Sequence, residues 1–272
     1  MENIKYGLLG YGGAFSSDEE NLNNSFYLKL KDDNKDEIFL IDCGEMNFHK
    51  VKNLIEKLKT GKVNVYITHL HPDHIGGLTT LYFYMKIIRP NIEFKIFSPG
   101  KKSAEEIKIL MRLMGADKEG IDRTVEYFSE TFVAKYTDGE ILFKGHTVKH
   151  SENMESFGYE IILKKGNEQK TLWFSGDCSL SQNSEIKNII EKADIVFHEM
   201  TIYKTPVHTN AEEYVKFYSK EICEKTIPMH LGKEELEKVK EIMKEKNINI
   251  DFIEKFYSNK REIEDFKSIE ID

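Results

Sequence analysis

Apolar positions along this chain recur in two rhythms, short strand-like runs and longer helical stripes, with turn residues between them. Ile4 to Leu9 forms a first strand and ends in Gly10-Tyr11-Gly12-Gly13-Ala14-Phe15-Ser16, whose glycines permit a tight turn and close backbone approach. Phe26 to Leu30 is a second strand, closed by Asp32-Asp33-Asn34. Ile38-Phe39-Leu40-Ile41 is apolar throughout, as a strand buried on both faces would be, and it delivers Asp42 at its end. Val51, Leu54, Ile55 and Leu58 then repeat at helical spacing. Val63 to Ile67 is again of strand type. A helix is expected from about Asp73, running through Leu78 to Phe83 and on to about Ile88, where Pro90 stops it.

Ile92 to Phe97 alternates apolar and polar, a half-exposed strand. Ser103 with Glu106 three residues on reads as a capping box, opening a helix that carries Ile107, Leu110, Met111 and Met114 and ends at Gly115. Short strands are expected at Val125 to Phe128, Phe132 to Tyr136, Glu140 to Phe143, Thr147 to Lys149, Phe157 to Leu163 and Thr171 to Phe174. Helices then cover about Ser184 to Glu191, Ala211 to Ser219 and Glu234 to Lys246, with strands at Ile195 to Phe197, Thr226 to Pro228 and Ile248 to Ile253. No linker, repeat or low-complexity segment interrupts them. The order predicts an α/β fold, an αββα sandwich: two mixed sheets packed face to face with helices outside, and residues 1–272 as one domain.

Composition narrows the setting. Of 272 residues 40% are hydrophobic, enough for a packed core. The net charge of −8, with lysine interleaved among glutamates, disfavours general binding of polyanions such as nucleic acid. Three cysteines without Cys-x-x-Cys spacing (Cys43, Cys178 and Cys223) read as reduced thiols of a cytoplasmic protein. The N-terminus lacks the basic and apolar regions of a secretory leader, and no apolar run reaches the roughly 20 residues of a membrane span.

Chemistry concentrates in Thr68-His69-Leu70-His71-Pro72-Asp73-His74-Ile75-Gly76-Gly77. Three imidazoles and a carboxylate fall within six residues on a strand-to-helix turn. His69 and His71 can face one way and Asp73 and His74 another, which suits two adjacent metal ions better than one. Imidazole with carboxylate favours zinc, with manganese, iron or cobalt as alternatives. A binuclear site needs more ligands, including a bridging carboxylate. Asp177 follows the apolar strand and glycine of Phe174-Ser175-Gly176, and His150 and His230 each follow a short strand. His146 competes with His150; His49 and His146 otherwise read as surface or core residues. Asp42 is either a cap or a partner that orients a metal-bound histidine.

These motifs, in this chain order, resemble those of the metallo-β-lactamase superfamily. Within it, Gly10 to Ser16, Ser175-Gly176-Asp177, His198-Glu199-Met200-Thr201 and His208-Thr209-Asn210 resemble the ribonuclease Z branch, over residues 4 to about 232. The resemblance implies one metal held by His69, His71, His150 and Asp177, and a second held by Asp73, His74, Asp177 and His230. It further implies catalytic roles for Asp73, for His208 as a general acid at the phosphate, and for Glu199 as its orienting partner; the role of His198 stays open. Thr209 with Glu212 also reads as a capping box, which would place His208 merely ahead of a helix. Relatives of this kind are often homodimers. Ribonuclease Z proteins carry a long tRNA-gripping arm between the motifs at His150 and Asp177, whereas here Glu160 to Leu172 leave room only for a hairpin around Lys165-Gly166-Asn167. The expected activity is therefore hydrolysis of a small phosphodiester, a cyclic or short nucleotide, by a hydroxide bridging two divalent metals. A tRNA 3′ endonuclease, a lactonase or thioesterase, and a nucleotide-binding sensor are the alternatives.

Overall fold

The computed structural model describes residues 4–16, 21–32, 35–58, 61–129, 131–136, 139–180 and 183–258. Their strands assemble into two six-stranded sheets. The first contains β1 (Ile4–Gly10), β2 (Ser25–Asp32), β3 (Lys35–Ile41), β4 (Gly61–Tyr66), β5 (Glu93–Ser98) and β6 (Val125–Tyr127), in that order across the sheet. The second runs from β7 (Thr131–Tyr136) through β8 (Gly139–Thr147), β9 (Phe157–Lys165), β10 (Glu168–Phe174) and β11 (Ile195–Glu199) to β12 (Thr226–Met229). In each sheet antiparallel pairs give way to parallel ones, β3 to β6 in the first and β10 to β12 in the second.

Parallel neighbours need crossovers, and helices supply them. In the first half these are α1 (Phe48–Glu56), α2 (Pro72–Ile75) with α3 (Leu78–Ile88), and α4 (Lys101–Leu113) with α5 (Lys118–Thr124). In the second half α6 (Ser184–Lys192) precedes β11, α7 (Ala211–Phe217) and α8 (Lys220–Glu224) precede β12, and α9 (Lys233–Glu245) and α10 (Asp251–Ser258) follow it.

The period-two rule of a strand explains the layering. Along β3, Phe39 and Ile41 join the apolar layer between the sheets, while Ile38 and Leu40 join the layer under α1, α3 and α4. The inter-sheet layer is aromatic: Tyr66 of β4 stacks on Phe143 of β8 with centroids 4.2 Å apart, and Phe39 lies 5.3 Å from the same ring. The αββα sandwich expected from the element order is what forms. Because the parallel strands of both sheets end at the same side, Asp42, the His69 loop, Asp177, Glu199 and His230 emerge together there, where open α/β sheets place their ligands.

Some expectations need correction. Ile248 to Ile253 is no strand: residues 248–250 are irregular and α10 follows. Ile248 and Ile250 pack on the core ahead of a helical stripe of Ile253, Phe256 and Tyr257, with the Tyr257 hydroxyl donating to the Pro228 carbonyl. Ser103 does not cap α4, which starts two residues earlier after Gly100; Glu155, distant in sequence, accepts from the Ser103 N–H instead. The helix expected from Asp73 is broken into α2 and α3, and α5 was not foreseen. The two strands around Gly145 are one continuous β8, its glycine packed against Pro99.

Candidate metal centre

Local backbone chemistry sets the first donors. After β4, His71 takes extended dihedrals as the N-cap of α2 and Pro72 occupies its first turn, so the chain reverses tightly within the His69–His74 stretch. Opposite, Gly176 at φ 59° lets the chain turn sharply after β10; a Cβ there would lie 2.6 Å from the Phe157 carbonyl oxygen. Asp42 and His230, neither of them glycine, also hold positive φ at the ends of β3 and β12. Such conformations cost about 1–3 kcal/mol each and concentrate at functional sites.

Two four-donor groups result, each with its atoms within 4.8 Å of one another, beside a three-donor group of Glu199, His208 and His230. One comprises His69, His71, His150 and Asp177; the other comprises Asp73, His74, Asp177 and His230. Asp177 belongs to both. In the first, His71 Nδ1 lies 2.9 Å from His69 Nε2 and 3.2 Å from His150 Nε2, with Asp177 Oδ2 at 3.9 and 4.0 Å from His69 and His150. In the second, His74 Nε2 is 3.3 Å from Asp73 Oδ2 and 3.3 Å from Asp177 Oδ1, while His230 Nε2 is 3.3 Å from Asp73 Oδ2 and 3.2 Å from Asp177 Oδ2.

These residues fit a pair of divalent cations. Bonds of about 2.1 Å place neighbouring donors in a tetrahedral shell roughly 3.4 Å apart. Among the described residues His74 Nε2 and Asp177 Oδ1, both buried and 3.3 Å apart, make no hydrogen bond of good geometry, and a cation between them would satisfy both. The rings are also aimed from behind. His74 Nδ1 lies 2.7 Å from Asp42 Oδ2, His150 Nδ1 lies 3.0 Å from the Val207 carbonyl oxygen, and His69 Nδ1 lies 3.0 Å from Thr68 Oγ1. Asp42 in turn accepts from both the backbone N–H and the hydroxyl of Thr68. Partners of this kind fix which nitrogen faces the metal.

Electrostatics agree with a donor role for His69, His71 and His150. Burial pushes the His69 pKa well below its ordinary value, and burial with neighbouring imidazoles lowers His71 and His150, keeping these rings neutral. Burial alone would raise Asp177, but His230, His74 and His69 hold it well below the usual carboxylate range. His74 and His230, facing carboxylates, are raised, the latter to about 9.

Beside the donors sits a carboxylate–imidazole pair. Glu199, wholly buried at the end of β11, has Oε1 3.3 Å from His208 Nδ1 and accepts there from the Cys178 and Thr209 N–H groups, each at 3.0 Å. Burial alone would lower the His208 pKa, yet the Glu199 contact raises it. The His208 ring lies 5.1 Å from that of His150 and 5.3 Å from that of His230.

Every sequence-selected residue of this set is thus brought to one place. Of the competing histidines, His150 comes in and His146 stays against Glu160 and Glu185; His49 is exposed on α1. Thr209 does not cap a helix, since the cap of α7 is Asn210; Thr209 is buried beside Glu199. Sequence reasoning missed Thr68, Thr209 and the Val207 carbonyl, and left His198 without a role. Thr68 and Thr209 sit next to motif histidines, the one signal available; a backbone carbonyl carries none.

Comparisons with known proteins agree on the architecture. The family model of the anti-Pycsar protein Apyc1 matches residues 4–257. The anti-Pycsar protein Apyc1 of Bacillus phage BSP38 is 24% identical over 241 residues, covering 83% of this chain and 88% of its own. A ribonuclease Z of Listeria innocua serovar 6a is 30% identical over 163 residues, covering 57% of this chain and 48% of its own. Among solved structures, the metallo-β-lactamase fold protein YhfI from Bacillus subtilis superposes with a TM-score of 0.59 at 18% identity, covering 88% of this chain and 92% of that one. Unliganded yeast PDE1 superposes at 0.62 with 12% identity, covering 92% and 96%.

Proposed function

The chain belongs to the anti-Pycsar protein Apyc1 family, and on that premise we propose that it is a metal-dependent phosphodiesterase hydrolysing a small phosphodiester, a cyclic nucleotide before any other. One observation carries the reading: Asp177 is common to two adjacent four-donor groups, with the Glu199–His208 pair beside them. His69, His71, His150 and Asp177 would hold one divalent ion, and Asp73, His74, Asp177 and His230 the other. Bound there, the ions would neutralise charge on the non-bridging phosphate oxygens and lower the pKa of water. Zinc suits the donor set best.

The chain's own groups do the rest. As water oxygen bonds to phosphorus, the bond from phosphorus to the departing ester oxygen breaks, and that oxygen needs a proton. His208, with Nδ1 turned to Glu199, would supply it from Nε2–H. Burial raises the Glu199 pKa and the His208 contact lowers it; two backbone N–H groups hold the carboxylate as the counter-charge to a protonated His208. The product is a phosphomonoester. Assay of purified protein against cyclic nucleotides and unprocessed tRNA, with and without chelator, tests this. Metal-dependent release of a nucleoside monophosphate is expected, and no turnover of either substrate would sink the reading.

The ribonuclease Z alternative is weaker. β9 and β10 are joined by a tight hairpin at Gly166, with Lys165 paired to Glu168, leaving no protruding arm between the His150 and Asp177 motifs. The net charge of −8 also opposes tRNA. A lactonase or thioesterase would give the Glu199–His208 pair no task, so full activity of His208→Ala would favour it. We treat residues 1–272 as one hydrolase domain, acting in the cytoplasm as a homodimer. Among the described residues no helix is long and apolar enough to cross a membrane.

A further inference from the structure

Behind Glu199 lies a buried polar chain that the phosphodiesterase reading leaves unused. Thr209 Oγ1 is 3.0 Å from the Cys178 carbonyl oxygen and 3.2 Å from His198 Nε2. A carbonyl can only accept, so the single hydroxyl proton goes to Cys178. The His198 nitrogen must then donate to Thr209, which fixes the tautomer with the proton on Nε2. His198 Nδ1 is left buried and, among the described residues, without a partner. A phenylalanine would fill this space without that cost, so packing alone does not account for the imidazole; its N–H does.

The chain joins the two loops that matter most. Cys178 directly follows Asp177, and Thr209 directly follows His208. The backbone N–H groups of the same two residues both donate to Glu199 Oε1, the oxygen that faces His208 Nδ1. Thr209 thus has its hydroxyl committed in both directions and its amide aimed at Glu199. If the hydroxyl link is cut, the His208 loop keeps its ties to Thr201 and to His150, but its tie to Cys178 rests on the carboxylate alone.

We propose that His198 and Thr209 are positioning residues, a latch from the His208 loop to the Cys178 carbonyl that keeps the proton donor in place relative to Asp177. This rests on His208 acting as the acid, and the test separates the two ideas. Rates are measured on the metal-loaded full-length protein with two substrates. A cyclic nucleotide has an alkoxide leaving group that needs a proton, whereas bis(p-nitrophenyl) phosphate loses a phenolate that does not.

His208→Ala provides the reference: the ratio of kcat for the cyclic nucleotide over the activated ester must fall, and an unchanged ratio overturns the acid reading. Given that fall, Thr209→Val should lower the same ratio by roughly tenfold or more, in kcat rather than KM, with metal content as in the parent. Thr209→Ser, which keeps the hydroxyl, should restore it. His198→Gln, with an N–H at similar reach, should hold the ratio, and His198→Phe should lose it. Equal losses on both substrates, or none, for Thr209→Val and His198→Phe would overturn the latch while leaving the acid reading intact. Should Thr209→Val not fold, the His198→Gln and His198→Phe pair decides: identical ratios overturn the proposal.

Discussion

At the scale of single residues the site depends on groups that never face substrate. His74 is wholly buried between Asp73 and Asp177 on one side and Asp42 on the other. Asp42→Asn keeps the volume but loses the charge that holds His74 Nδ1–H. Metal affinity should fall about 10–100-fold, read by competition with a chromogenic chelator; parent-like affinity would mean that Asp42 does not orient His74. Asp177→Asn acts more severely, because one carboxylate serves both donor groups. Elemental analysis of that variant should find both ions depleted and activity lost; depletion of one alone would contradict a shared ligand. Both aspartates were selected from the sequence by the same cue, a polar residue closing an apolar strand. The cue could not say which of them joins the donor groups.

At the scale of elements, the loop after β3 buttresses the one after β4. Cys43 N–H donates to the His74 carbonyl, Glu45 N–H to that of Pro72, and Gly77 N–H to that of Cys43. The approach is so close that a Cβ on Gly44 would stand 2.0 Å from the Asp73 carbonyl oxygen. Gly44→Ala should therefore push the two loops apart, costing about 1–3 kcal/mol. The thermal midpoint should drop by several degrees, with weaker metal binding in titration. An unchanged midpoint would show that the loops yield without strain. The sequence read this region as an apolar strand delivering Asp42 and then a helix carrying Val51, Leu54, Ile55 and Leu58, which is correct. It gave no sign that Gly44 is required by Asp73, because that contact joins residues distant along the chain.

At the scale of the whole molecule, the donors come from both sheets, so cations bound among them would tie the two halves together. Ligand held only by the folded state adds stability as RT ln(1 + [L]/Kd), about 4 kcal/mol at a thousandfold excess over Kd. Removing metal with a chelator should lower the thermal midpoint by several degrees, and added zinc should restore it. A midpoint indifferent to both would argue against metals bridging the sheets.

The sequence by itself determined the strand and helix periods, the layer order and the cluster from His69 to His74, because these depend on the spacing of near neighbours. It also marked His150, Asp177, Glu199, His208 and His230 through short motifs. Their convergence was decided by tertiary structure: parallel strands in two facing sheets end on one side and carry residues more than 150 positions apart to within about 3 Å, as for His230 and Asp73 at 3.3 Å. The same physics hid the supporting contacts. Val207 offers a carbonyl common to every residue, Thr209 a hydroxyl that resembles any helix cap, and α10 a stripe whose period shows only against the core it covers. Each takes its meaning from a partner that the fold, and not the local chain, provides.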